Sequence, residues 1–162
     1  MSYDIKIFNV CDHIVDNKHY NSQLCPRCNG ESWYFDIHFD PTGQSVLASG
    51  DIKLQQEILK VMLDEKYSNL FHPNWGSEVT TLVGSKMLSN NAAKVELMIR
   101  NALEYLQSIQ VDEYATNGNL SINEIINKIL YINIKQVDTT SYFVNVIFSN
   151  QVEQIYSQKI IL

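Results

Sequence analysis

Cys25-Pro26-Arg27-Cys28-Asn29-Gly30 is the segment whose residue types and spacing could do chemistry. Two thiolates in C-x-x-C can hold one tetrahedral metal ion. Proline tightens the loop between them, and glycine lets the backbone turn away afterwards. Structural zinc takes four ligands, and Cys11 is the third thiolate candidate. His13, two residues further on, would share its face on an extended strand, which makes Cys11, His13, Cys25 and Cys28 the expected Cys₃His set. His19 and then His38 are the other choices for the fourth ligand. A structural Zn²⁺ contributes roughly 10 kcal/mol of apparent folding free energy in small modules. Little before Trp33 could otherwise build a core. Two other readings stand beside zinc: free or buried thiols, and a redox pair. The redox pair needs a helix N-terminus at its first cysteine, and Gly30 followed by a strand-like run argues against one.

Composition restricts the remaining classes. The 162 residues are 45% hydrophobic and 19% charged, with a net charge of −6. One domain with a small appendage is expected. The acidic balance, with only Lys18 and Arg27 flanking the cysteines, opposes a phosphate-tracking surface, so nucleic acid is not an expected partner. No apolar run approaches the ~20 residues that span a bilayer, and no membrane partner is expected. The start MSYDIKIFNV lacks the features of a secretion signal, and assembly in a cytosol is expected. The motifs G-x-S-x-G, Walker A, G-x-G-x-x-G and H-E-x-x-H are all missing. Asp36, Asp40, Asp64, Glu65 and Glu78 read as solvated or turn carboxylates, and His72 as a packing or turn residue. The expectation is that the protein is not an enzyme.

The elements that would position these groups follow from periodicity. Tyr3 to Val10 and Trp33 to Phe39 alternate as strands. Asp40-Pro41-Thr42-Gly43 is a turn. A first helix is expected from Asp51 to about Lys66, with Leu54, Ile58, Val61 and Met62 inward. A second is expected from about Asn91 to Gln110, with Val95, Met98, Ile99, Ala102, Leu106 and Ile109 inward. A third should start at Ser121, where Ser121 and Glu124 form a capping box and Ile122, Ile125, Ile126 and Ile129 recur at helical spacing. Period two then takes over in three strands, Tyr131–Val137, Tyr142–Phe148 and Val152–Leu162. The short turns between them favour an antiparallel meander. The expected class is α+β: helices packed on a mostly antiparallel C-terminal sheet, with an N-terminal zinc-knuckle extension. Residues 1–40 would form the extension and 41–162 the main domain.

The chain ends Lys159-Ile160-Ile161-Leu162, apolar up to the carboxylate. The last strand either completes the protein's own sheet or pairs with another chain. Val152, Ile155, Ile160, Ile161 and Leu162 are the candidate partner-binding residues.

The order of these features resembles a known family. Asp36 to Asp40, Gly50-Asp51-Ile52, an amphipathic helix, His72-Pro73-Asn74-Trp75-Gly76-Ser77, a helix with Ile99-Arg100-Asn101-Ala102-Leu103, and a closing antiparallel sheet are similar to the lysozyme-like baseplate wedge proteins. These are the sheath initiators of contractile phage tails, also called the baseplate W family. The resemblance covers about residues 33–162. It implies a structural subunit of the virion's tail baseplate, assembled in the host cytoplasm. It also implies partnership with other wedge subunits and with the tail sheath protein, whose first ring is templated by strand exchange. The family's older name implies a peptidoglycan hydrolase instead, and the cysteines alone would suit a zinc-ribbon adaptor. The sequence departs from the family in two places. Lys66-Tyr67-Ser68-Asn69 stands where members often carry Gly-Glu, and Leu106-Gln107-Ser108 where they often carry the anchoring Glu-Pro-Arg.

Overall fold

The computed structural model describes residues 4–5, 10–15, 18–21, 42, 44, 47–82, 91–137 and 141–161. The chain divides into two compact units, one of residues 3–49 and one of residues 50–162 together with residues 1–2. In the first unit β1 (Asp4–Ile5) pairs antiparallel with β4 (Leu47–Ala48), and β2 (Val10–Val15) with β3 (Lys18–Asn21). The expected strand at 33–39 lies outside the described residues, as do the turn positions at 40, 41 and 43.

The second unit is α+β. Helix α1 (Gly50–Leu63) has Leu54, Ile58, Val61 and Met62 fully buried, as its three- and four-residue spacing predicts. It stops short of Lys66 because a later segment takes its final carbonyls. The Ser77 hydroxyl donates to Met62 O at 2.7 Å, and the Ser77 N–H donates to Asp64 O at 2.8 Å. This close approach needs a glycine next door. Gly76 has φ 96°, and a Cβ there would sit 2.7 Å from Asp64 O. The Pro-x-x-Gly-Ser motif is thus a strap across the end of α1.

Helix α2 (Ala92–Asn117) runs well past Gln110. It closes at Gly118, in the left-handed region at φ 60°, whose N–H donates to Tyr114 O at 3.2 Å. Val95, Ile99, Ala102, Leu103 and Leu106 are buried; Met98 and Ile109 are half-buried.

The expected third helix is not formed. The Ser121–Glu124 capping box is present, yet it heads a single 3₁₀ turn (Ile122–Glu124), and Ile125 is already extended. β5 (Ile126–Gln136) follows at once. Ile122 lies in the turn and Ile125 just after it, and a register shift between Ile126 and Lys128 accounts for the three-residue step from Ile126 to Ile129; a second shift follows between Ile129 and Tyr131. Each bulge inserts an extra residue, so strand residues bound for one face recur at three-residue steps that mimic a helix.

β6 (Tyr142–Asn150) and β7 (Ile155–Ile161) complete a three-stranded antiparallel sheet in the order β5-β6-β7, the expected meander. Tyr142, Val144, Val146 and Phe148 form one buried face of the central strand. Phe148 stacks on Tyr156 of β7, with ring centroids 5.5 Å apart. Burying each large apolar side chain here stabilises the fold by about 1.5–3 kcal/mol before entropy is counted. No described helix is long and apolar enough to cross a membrane.

Candidate functional site

β7 is an edge strand, paired with β6 and with no other described strand. The phase of its ladder is fixed at the hairpin, where the Asn150 N–H donates to Gln154 O at 3.1 Å. Hydrogen-bonded and non-hydrogen-bonded pairs alternate in an antiparallel ladder. With Phe148 opposite Tyr156, Val146 opposite Gln158 and Val144 opposite Ile160, those three β7 residues turn their main-chain groups toward β6. The N–H and C=O groups of Ile155, Ser157, Lys159 and Ile161 therefore face away from β6, along an edge free of register shifts. The hairpin before it is rigidly built. The Gln154 N–H donates to Asn150 Oδ1 at 2.9 Å, Asn150 Nδ2 donates to Asn123 O at 3.2 Å, and Glu153 takes φ 61°.

The predicted partner-binding residues divide across this strand. Ile155 is 67% exposed, and Val152, in the hairpin, and Ile161 are also exposed. Ile160 is not: at 2% exposed, opposite Val144, its side chain belongs to the protein's own core. Alternation in a strand forces neighbours onto opposite faces, so Ile160 and Ile161 cannot both serve a partner through their side chains. Leu162 lies outside the described residues.

Of the expected zinc ligands, Cys11 and His13 lie on β2, while Cys25 and Cys28 lie outside the described residues, as does His38. His19 is on β3, with its Cα opposite Ile14. The β2–β3 register shifts between Val10 and Ile14, so the backbone that carries Cys11 and His13 is not a regular ladder. Among the described residues, no cluster of three His, Cys, Asp or Glu stands ready for a metal ion.

Asp64, Glu65 and Glu78 are exposed, as expected; Asp36 and Asp40 lie outside the described residues. Among the described residues Glu124 is a buried acid and Glu57 beside it is partly buried; the sequence marks only Glu124, through the capping box. Glu124, with no exposed surface, accepts the Gly50 N–H on Oε1 at 2.8 Å and the Ser121 N–H on Oε2 at 3.3 Å. Lys53 Nζ lies 3.5 Å from Glu124 Oε2 and 3.1 Å from Glu57 Oε1. Gln110 Nε2 donates to Glu57 Oε2 at 2.8 Å, and Gln110 Oε1 accepts the Ile126 N–H at 3.0 Å. Burial pushes the Glu57 carboxyl above its ordinary range; Lys53 and the Gln110 hydrogen bond pull the other way. This chain of contacts joins the start of α1, the middle of α2, the 3₁₀ turn and the first residue of β5. Its carboxylates are held by internal donors, so its chemistry is that of an anchor. The capping box was the one sequence signal for Glu124. Lys53 and Glu57 are four apart on a helix, a spacing that surface ion pairs share, so nothing in it marks burial.

No model of a known protein family matches the chain, and no curated protein resembles it significantly.

Proposed function

We propose that the protein is a structural subunit of a contractile phage tail baseplate wedge that starts tail sheath assembly by β-strand exchange. The observation that carries the reading is the open β7 edge, with four residues whose main-chain groups face outward. An incoming extended strand would gain main-chain hydrogen bonds there, and alternating side chains would fix its register. The order of elements supports it as well: helix, Pro-x-x-Gly-Ser strap, helix and closing meander follow one another as in the family the sequence resembles. On this reading the partners are the tail sheath protein and other wedge subunits. The protein belongs to the virion baseplate, assembled in the host cytoplasm, and has no catalytic role. A Zn²⁺ held by Cys11, His13, Cys25 and Cys28 would fix the extension that docks on a neighbouring wedge protein. Metal analysis of protein purified without chelator tests that part: about one zinc per chain, lost with Cys25→Ser, is expected.

The strand-exchange role is tested by Lys159→Pro. Proline removes an N–H that faces away from β6, which an edge strand tolerates. The variant should fold, with its unfolding midpoint within about 3 °C of the parent. It should join wedges and fail to start sheaths. Normal sheaths on such particles would end the proposal. Cutting the chain after Ser157 is a poorer test, because it removes Gln158 and Ile160 from the core.

A further inference from the structure

The loop between α1 and the Gly76–Ser77 strap carries Leu70 and Phe71, each 91% exposed. Two adjacent large apolar side chains this far into water are costly unless something covers them. The loop that holds them is rigidly tied. Asn69 Oδ1 accepts the N–H groups of Phe71 and His72 at 2.9 and 3.2 Å. The Tyr67 N–H donates to Pro73 O at 3.0 Å and the Trp75 N–H to His72 O at 2.9 Å. Trp75 Nε1 donates to Asp64 Oδ2 at 2.7 Å. A pair presented on such a frame loses little entropy when a partner orders it, as an anchor should.

His72, next in sequence to the pair, and the last turns of α2 line a shallow open groove of about 600 Å³ with Ile109, Asp112, Glu113 and Thr116. After Arg100, α2 carries Glu104, Asp112 and Glu113 and no Lys or Arg. Acids at a helix C-terminus sit against the negative end of the macrodipole, an arrangement that costs stability until cations approach.

We propose that this loop and groove dock a basic amphipathic helix of a partner protein, independently of strand exchange at β7. Apolar residues of the helix would cover Leu70, Phe71 and Ile109, and its Lys or Arg residues would meet Asp112 and Glu113. A helix fits better than a strand. The loop's main-chain groups are largely consumed internally and α2 is a helix, so neither offers a ladder for an extended chain. A helix brings its own backbone already satisfied.

The probe is a synthetic peptide of about 18 residues with Leu at i, i+3, i+4 and i+7 and Lys elsewhere, titrated against the full chain by calorimetry. A Kd of order 10 µM is expected. Leu70→Ser with Phe71→Ser leaves all charges in place and should weaken binding at least about tenfold. Asp112→Asn with Glu113→Gln should weaken it about fivefold and flatten its salt dependence. Equal binding by the serine variant would overturn the proposal, as would equal binding of a peptide with Glu in place of Lys. A drop of more than about 5 °C in the serine variant's unfolding midpoint would show that the pair packs inside its own chain, and would also overturn it. So would vesicles of phosphatidylcholine with phosphatidylglycerol that retain the parent chain and release the serine variant, since the occupant would then be lipid.

Discussion

The two outer strands of the C-terminal sheet are defended very differently. β5 departs from regular register twice, carries exposed Lys128 and Lys135, and has its first carbonyls taken by α2. Gln107 Nε2 donates to Ile126 O at 3.1 Å and to Asn127 O at 2.8 Å. β7 runs without a register shift and carries a single lysine, Lys159. Bulges, lysines and covering side chains are the usual means of keeping an edge from pairing. Among the described residues, one outer strand is guarded and the other pairs with nothing beyond β6, so the proposed strand addition would take place at β7.

The contacts around Glu124 and Glu57 tie α1 and α2 to the 3₁₀ turn and the start of β5, so loss of Glu124 should have the largest effect. Glu124→Ala takes one carboxylate from the buried Lys53 and frees the Gly50 N–H. A loss of about 3–5 kcal/mol in denaturant unfolding is expected. The two faces of β7 come next. Ile160→Ala should cost about 2–5 kcal/mol, whereas Ile161→Ala should cost less than about 0.5 kcal/mol. Equal costs would mean that the strand's alternation is wrong. The defence of β5 is tested by Lys128→Val with Lys135→Val. Stability should barely change, and self-association in sedimentation should rise at high protein concentration; unchanged monomers would show that the bulges alone suffice.

The smallest effect concerns pH. The folded-state pKa of Glu57 is raised, so the folded protein holds that proton more tightly than the unfolded chain does. The resulting stability is fully present below the unfolded value and is lost as pH rises through the folded value. The difference in unfolding midpoint between the parent and Glu57→Gln should therefore shift against the parent as pH rises from about 4 to about 8. A pH-independent difference would show that Glu57 titrates normally.

Legibility in the sequence followed the simplicity of the local pattern. The buried face of β6 alternates without interruption from Tyr142 to Phe148, and the inward stripe of α1 is equally regular; both read directly. β5 did not, because its bulges convert period two into an apparent helical spacing after a genuine capping box. The far end of α2 was hidden for another reason. Past Gln110 the helix is largely exposed and carries no apolar repeat to follow. Glu57, Lys53 and Gln110 were invisible as a cluster because their meeting with Glu124 depends on contacts across α1, α2 and the turn. The predicted zinc ligands and the two faces of the last strand stand on different footing. The C-x-x-C spacing is explicit in the sequence, while the split between Ile160 and Ile161 required knowing which face β7 turns inward.

The Gly76–Ser77 strap has one more consequence. It secures the end of α1 from a point beyond the loop that bears Leu70 and Phe71, so the helix does not depend on what those tip residues are. The tip can therefore change, shorten or take a grafted peptide while the scaffold keeps its stability. A lineage could vary that stretch without having to relearn how to fold.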